Sequence, residues 1–235
     1  TTWVFSNHDV VRHATRYGLA GEGMSVAAPG GGATLGGNDG KQWLLDGGDP
    51  AAVDEAKGLR RARAATLFML ALPGSAYLYQ GEELGLQEVG RIPAAQRQDP
   101  SFFRSEGAEI GRDGCRVPLP WTVDGASYGF GENGAHLPQP EWFGDYAVEA
   151  ESADPESTLN LYRAALALRH ELECAESLEW VEVSESVLGI ERPNGWRAVM
   201  NFGVEPVALP AGEVLLSSAP LTDGELPGET TVWLR

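Results

Sequence analysis

Apolar residues change their spacing several times along the chain, and each change marks an element. Residues 2–6 (TWVFS) are β-branched and aromatic, which fits a short buried strand. Residues 54–72 (DEAKGLRRARAATLFMLAL) carry helical propensity throughout, and Pro73-Gly74 supplies the stop. Residues 76–79 (AYLY) read as a second short buried strand. Another helix opens at Asp154-Pro155-Glu156-Ser157 and runs to about Glu173, with Leu159, Leu161, Tyr162, Leu166, Leu168 and Leu172 on its apolar face. After it the period switches to two, and strands are predicted at 178–183, 187–192, 196–202, 213–218 and 230–234. Asn194-Gly195, between two of them, signals a hairpin. Strand, loop, helix, strand is the repeating unit of a parallel α/β structure. The residues from 175 onward are expected to form a small antiparallel β-domain.

Two stretches show no period. Residues 18–48 are rich in glycine, with Pro29-Gly30-Gly31-Gly32 and Gly36-Gly37, and read as a long loop. Residues 80–153 are irregular and rich in Gly, Pro and aromatic residues, which suits a lid around an active site.

Charge and composition narrow the function classes. The formal net charge of −17 argues against a nucleic-acid partner, whose phosphates need clustered cations. The most apolar run, residues 62–72, is too short to cross a membrane and follows Arg60 and Arg61. Cys115 and Cys174 are too few for a disulfide framework and match no zinc spacing, so reduced thiols in a cytoplasmic protein are expected. The chain opens Thr1-Thr2-Trp3-Val4-Phe5, without Met or a charged leader, and its beginning is expected to be missing or processed. The Gly-rich loop has neither dinucleotide nor P-loop spacing, and Asp39, Asp46 and Asp49 lack calcium-loop spacing. No cofactor or metal site is expected.

Three polar motifs carry candidate chemistry. Asn7-His8-Asp9 places a carboxylate beside an imidazole just past the end of a predicted strand, where α/β barrels keep catalytic groups. Taken alone, Asp9 could equally cap a helix. Gly111-Arg112-Asp113-Gly114-Cys115-Arg116 sets two arginines four apart, able to aim guanidinium forks at hydroxyls or a carboxylate, or to form surface ion pairs. Tyr79-Gln80-Gly81-Glu82-Glu83-Leu84-Gly85 is polar directly after a strand, and by itself reads as a turn with solvated carboxylates.

Together these motifs resemble glycoside hydrolase family 13, the α-amylase superfamily. FSNHDV resembles that family's conserved region after barrel strand seven, and AYLYQGEELGL the segment at strand eight. GRDGCRVPLPW resembles a loop of the α-glucosidase and oligo-1,6-glucosidase branch. Leu137-Pro138-Gln139-Pro140 and the approach to LYRAALALR resemble the run into barrel helix eight. The resemblance implies the C-terminal portion of a (β/α)8 TIM barrel, strands 7–8 and helices 7–8, over residues 1–174. A small antiparallel β-sheet domain C would follow over 175–235.

It also implies a retaining α-glucosidase acting on small oligosaccharides. Asp9 matches the aspartate that steadies the distorted sugar, His8 the histidine beside it, and Arg112 and Arg116 the arginines lining the glucose pocket. No residue here matches the family's nucleophile or general acid/base, so this stretch alone is expected to be inactive. The alternatives are a non-catalytic ancillary subunit built on a glucosidase domain, or a sucrose- or maltose-isomerising relative.

Overall fold

The computed structural model describes residues 1–19 and 37–235, and contacts group them into two units. One unit comprises Ser6–Leu59 and Leu78–Leu159. Its first helix, α1 (His13–Gly18), is buried along its whole length. Helix α2 (Gly37–Leu45) replaces the end of the predicted glycine-rich loop. Trp43 drives that difference, because it buries against Val11 and Leu19 and its indole N–H donates to the Asp49 carbonyl at 2.9 Å. Residues 20–36 of that predicted loop, Pro29-Gly30-Gly31-Gly32 included, lie outside the described residues.

Helix α3 (Glu55–Ala71) matches the predicted span within a residue at each end. Asp54 caps it by accepting the Lys57 N–H at 3.0 Å. Gly58 interrupts its propensity for a steric reason: a Cβ there would lie 2.1 Å from the Ala14 carbonyl oxygen of α1. The close approach of α1 thus requires glycine, although glycine inside a helix costs about 1 kcal/mol against alanine.

Residues 80–153 are irregular as expected, with two short helices, α4 (Pro100–Arg104) and α5 (Val148–Ala153), among 3₁₀ turns. They wrap a core that includes Leu84, Leu86, Val117 and Phe143. The reading of Glu82 as solvated is corrected. It is buried and accepts the Tyr79 N–H at 3.0 Å, closing the turn from inside.

The second unit comprises Thr1–Phe5, Arg60–Tyr77 and Asn160–Arg235. Strand β1 (Thr2–Val4) pairs in parallel with β2 (Ser75–Tyr77), Val4 opposite Tyr77. Both were expected to be buried, yet Val4 is 48% and Tyr77 46% exposed. No third strand joins this sheet among the described residues, so alternate side chains meet solvent. Helix α6 (Thr158–Glu171) contacts α3 through Tyr162, whose hydroxyl meets that of Thr66 at 3.0 Å.

Then come β3 (Glu179–Val183), β4 (Val187–Glu191), β5 (Arg197–Asn201), β6 (Val207–Ala208), β7 (Val214–Ser217), β8 (Glu225–Leu226) and β9 (Thr230–Leu234). Five form an antiparallel sheet in the order β3-β4-β5-β9-β7, and β6 pairs with β8. Val187, Val199, Val232 and Leu234 share one core with Leu226. The hairpin between β4 and β5 does form, but Asn194-Gly195 are not its two central residues. The Gly195 N–H reaches the Arg192 carbonyl at 2.8 Å, with Pro193-Asn194 in the turn and Gly195 at φ +86°. A three-residue loop ending on a left-handed glycine results.

Strand β9 is buried throughout and is tied to α3. Thr231 Oγ1 donates to the Ala64 carbonyl at 2.7 Å, and Trp233 Nε1 to that of Leu67 at 3.0 Å. Just before β9, buried Glu229 accepts from Arg60 Nε at 2.9 Å and pairs with Arg61. No helix among the described residues is long and apolar enough to cross a membrane.

Candidate active site

The four residues singled out from the sequence converge in the unit that holds α1. Asn7 Oδ1 accepts the Asp9 N–H at 2.8 Å, an Asx turn that sets the Asp9 side chain after β1. Arg112 Nη1 donates to Asp9 Oδ1 at 2.7 Å, and Arg116 Nη2 approaches the same oxygen at 3.3 Å. The other oxygen, Oδ2, lies 3.3 Å from His8 Nε2. Arg116 also holds the His8 carbonyl, with Nε at 3.0 Å and Nη2 at 2.8 Å.

Asp9 is therefore an anchored anion. Its pKa is held below the ordinary carboxylate value, first by the Arg112 hydrogen bond and then by the charges of His8, Arg112 and Arg116. About half of its side chain remains exposed, so the anchored group is open to a ligand. A cavity of about 400 Å³ is lined by Asp9, Arg112, Cys115 and Glu88, while His8 and Arg116 stand outside its wall.

The chain as a whole is similar to proteins of one family. Residues 50–177, more than half of the chain, match the family Alpha-amylase (Alpha amylase, catalytic domain). The chain belongs to the α-amylase family. Arg112 and Arg116 lie within the matched segment, and His8 and Asp9 precede it. Within the family, the chain is 30% identical over 197 residues to a probable alpha-glucosidase of Rhizobium meliloti (strain 1021), covering 82% of this chain and 29% of that protein. It is 24% identical over 182 residues to the rat (Rattus norvegicus) amino acid transporter heavy chain SLC3A1, covering 74% of this chain and 25% of that one. A solved structure of an alpha-glucosyl transfer enzyme, XgtA, superposes with a TM-score of 0.65 at 30% identity, over 100% of this chain and 40% of that one. The chain thus spans about a third or less of the curated relatives it matches.

Three site residues of this α-amylase-family chain were not singled out from the sequence. Asp99 has a fully buried side chain and grips Arg112 from behind, taking Nε at 2.6 Å, Nη2 at 3.3 Å and the backbone N–H at 2.9 Å. Ser101 donates twice to it, through its N–H at 2.9 Å and its hydroxyl at 2.8 Å. These contacts, Arg112 foremost, hold the Asp99 carboxyl well below its ordinary range. The Asp99-Pro100 pair at the start of α4 was the available signal, since aspartate before a first-turn proline is a helix cap.

Arg12 ties three segments together. Its Nη1 donates to the Gln80 carbonyl at 2.8 Å, its Nη2 to the Cys115 carbonyl at 2.9 Å, and its N–H to Glu88 Oε2 at 3.0 Å. Glu88 is buried beside the cavity, and burial pushes its carboxyl up to about 7 against the pull of Arg12 and Arg16. No local pattern distinguishes either residue, because their partners stand 68 to 103 positions away. Among the described residues no group of three or more His, Cys, Asp or Glu side chains could hold a metal.

Proposed function

We propose that the protein containing this chain is a retaining α-glucosidase, releasing terminal α-linked glucose from small oligosaccharides and able to transfer it to an acceptor. The observation that carries this reading is the Asp9 carboxylate, kept anionic by Arg112 and about half exposed beside His8. A glycosidic transition state resembles an oxocarbenium ion and gains from hydrogen bonds that strengthen at the sugar hydroxyls as charge develops. Asp9 is suited to accept such bonds without reorganising, which is the costly part in water. His8, Arg112 and Arg116 bind the same sugar in this reading.

The nucleophile and the general acid/base belong to segments outside this chain, and they must stand about 5–5.5 Å apart for retention. In the same proposal β1 and β2 are barrel strands seven and eight, residues 1–174 belong to the barrel, and 175–235 form domain C. The names of the Rhizobium relative and of the transfer enzyme, both at 30% identity, support the glucosidase and transfer halves of the reading.

The test is hydrolysis of p-nitrophenyl α-glucoside by this chain and by the same chain joined to its upstream sequence. Activity in the joined protein alone, falling by about 10²–10³ in Asp9→Asn, is the expected result. Turnover by the short chain itself would overturn the assignment of the missing carboxylates. The second reading is a non-catalytic subunit, and the likeness to the rat transporter heavy chain favours it. Silence of both proteins towards the α-glucoside would favour a different substrate or that alternative.

A further inference from the structure

The cavity that holds Asp9 and Arg112 also has an apolar wall, formed by Val10, Leu44, Leu45 and Ile110, which the sugar reading leaves unused. Leu44 and Leu45 are the last two residues of α2. Successive helical positions are turned by about 100°, so seating Trp43 against Val11 and Leu19 sends the next two side chains to other sides of the helix. Leu44 stays half-buried, and Leu45 is 41% exposed. Ile110, also half-buried, stands two residues before Arg112. A second cavity of about 410 Å³ shares Leu44, Leu45 and Ile110 with the first and adds Ile92 and Pro93.

Most polar side chains at the two cavities are engaged by the protein itself. Lys41 and Glu109 face each other at 4.0 Å, and Glu88 accepts the Arg12 N–H at 3.0 Å. Arg97 Nη1 donates to the Ile110 carbonyl at 2.7 Å, and Arg91 pairs with Asp49 at 3.1 Å. A polar end at Asp9 and Arg112 thus adjoins a leucine and isoleucine surface, the usual division of a ligand pocket into orienting groups and apolar walls. A second sugar on that surface would bury hydroxyls with few partners, which is costly. A hydrocarbon group would gain about fourfold in affinity for each methylene fully buried.

We propose that this apolar wall binds the leaving group of the substrate and favours an alkyl or aryl alcohol over a second sugar, which rests on the glucosidase reading above and names its aglycone. In that reaction the anomeric C–O bond breaks, the alcohol departs with a proton from the upstream general acid, and water completes the glucose. The test compares kcat/KM for hexyl α-glucoside, methyl α-glucoside and maltose in the chain joined to its upstream sequence.

Hexyl α-glucoside should exceed maltose, and should exceed methyl α-glucoside by about tenfold, roughly what two buried methylenes supply. Leu45→Gln, at an exposed position, should reduce the hexyl-to-methyl ratio at least about threefold. Circular dichroism melts show whether the variant is folded, and Ile110→Thr carries the same test if it is not. A wild-type ratio near one, a ratio that the folded variant leaves unchanged, or maltose turned over faster than the hexyl glucoside would each overturn the proposal and leave the glucosidase reading standing. No turnover of any of the three would remove both.

Discussion

Arg112 is the residue on which the candidate site turns, because one guanidinium bridges an exposed carboxylate, Asp9, and a buried one, Asp99. Asp99→Asn keeps the shape but removes the charge that aims the fork. In the α-glucosidase proposed above, assembled with its upstream sequence, kcat/KM should fall by about 10- to 100-fold, mostly through KM, as expected for loss of one charge-assisted contact. An unchanged KM in a folded variant would sink the positioning role. Glu88 gives a pH test. Between its ordinary value of 4.5 and about 7 the folded chain binds more protons at this carboxyl than the unfolded chain, so its contribution to stability falls as pH rises across that window. Glu88→Gln should therefore gain on the wild type from about pH 4.5 to 7, read from urea midpoints at each pH, and parallel curves would refute the assignment. Asp9, His8, Arg112 and Arg116 were legible because each sits in a short contiguous motif. Asp99, Arg12 and Glu88 were not, since their meaning lies in partners distant along the chain.

Elements were legible where one force dominates. Helix α3 has propensity, a cap and a stop that agree, and it formed within a residue of expectation. Strands β4, β5, β7 and β9 were legible from their β-branched and apolar residues, although β9 is buried throughout and β5 nearly so, and burial does not alternate along them. Helix α2 was missed where glycine content outweighed Trp43, and β6 and β8 are two residues each, too short to show a period. The clasp between α3 and β9 is tertiary in origin and left no sequence mark. Buried Glu229 is held there by Arg60 and Arg61, and its own φ of +55° is a strained conformation for a side-chain-bearing residue. Glu229→Ala leaves Arg61 without that partner in a mostly buried position and should cost on the order of 3 kcal/mol of unfolding free energy, measured by urea denaturation. A loss under about 0.5 kcal/mol would mean that the clasp contributes nothing beyond an ordinary surface pair.

At the scale of the whole molecule, the two contact units each carry one thiol, and the thiols differ in kind. Cys115 is buried in the unit that holds Asp9, and burial, reinforced by the nearby Glu88 charge, pushes its pKa up to about 12. Cys174 is only partly buried in the other unit. Alkylation proceeds through the thiolate. Iodoacetamide should consequently modify Cys174 in the native state and reach Cys115 only when its unit opens, a difference that intact-mass spectrometry resolves over time. Equal rates at the two would contradict the buried placement. The pair then works as an internal stopwatch for local breathing. A Cys115 rate matching global unfolding would mean that the unit holding Asp9 never opens alone. A faster rate would reveal a private excursion of the loops around Asp9, independent of the rest of the chain.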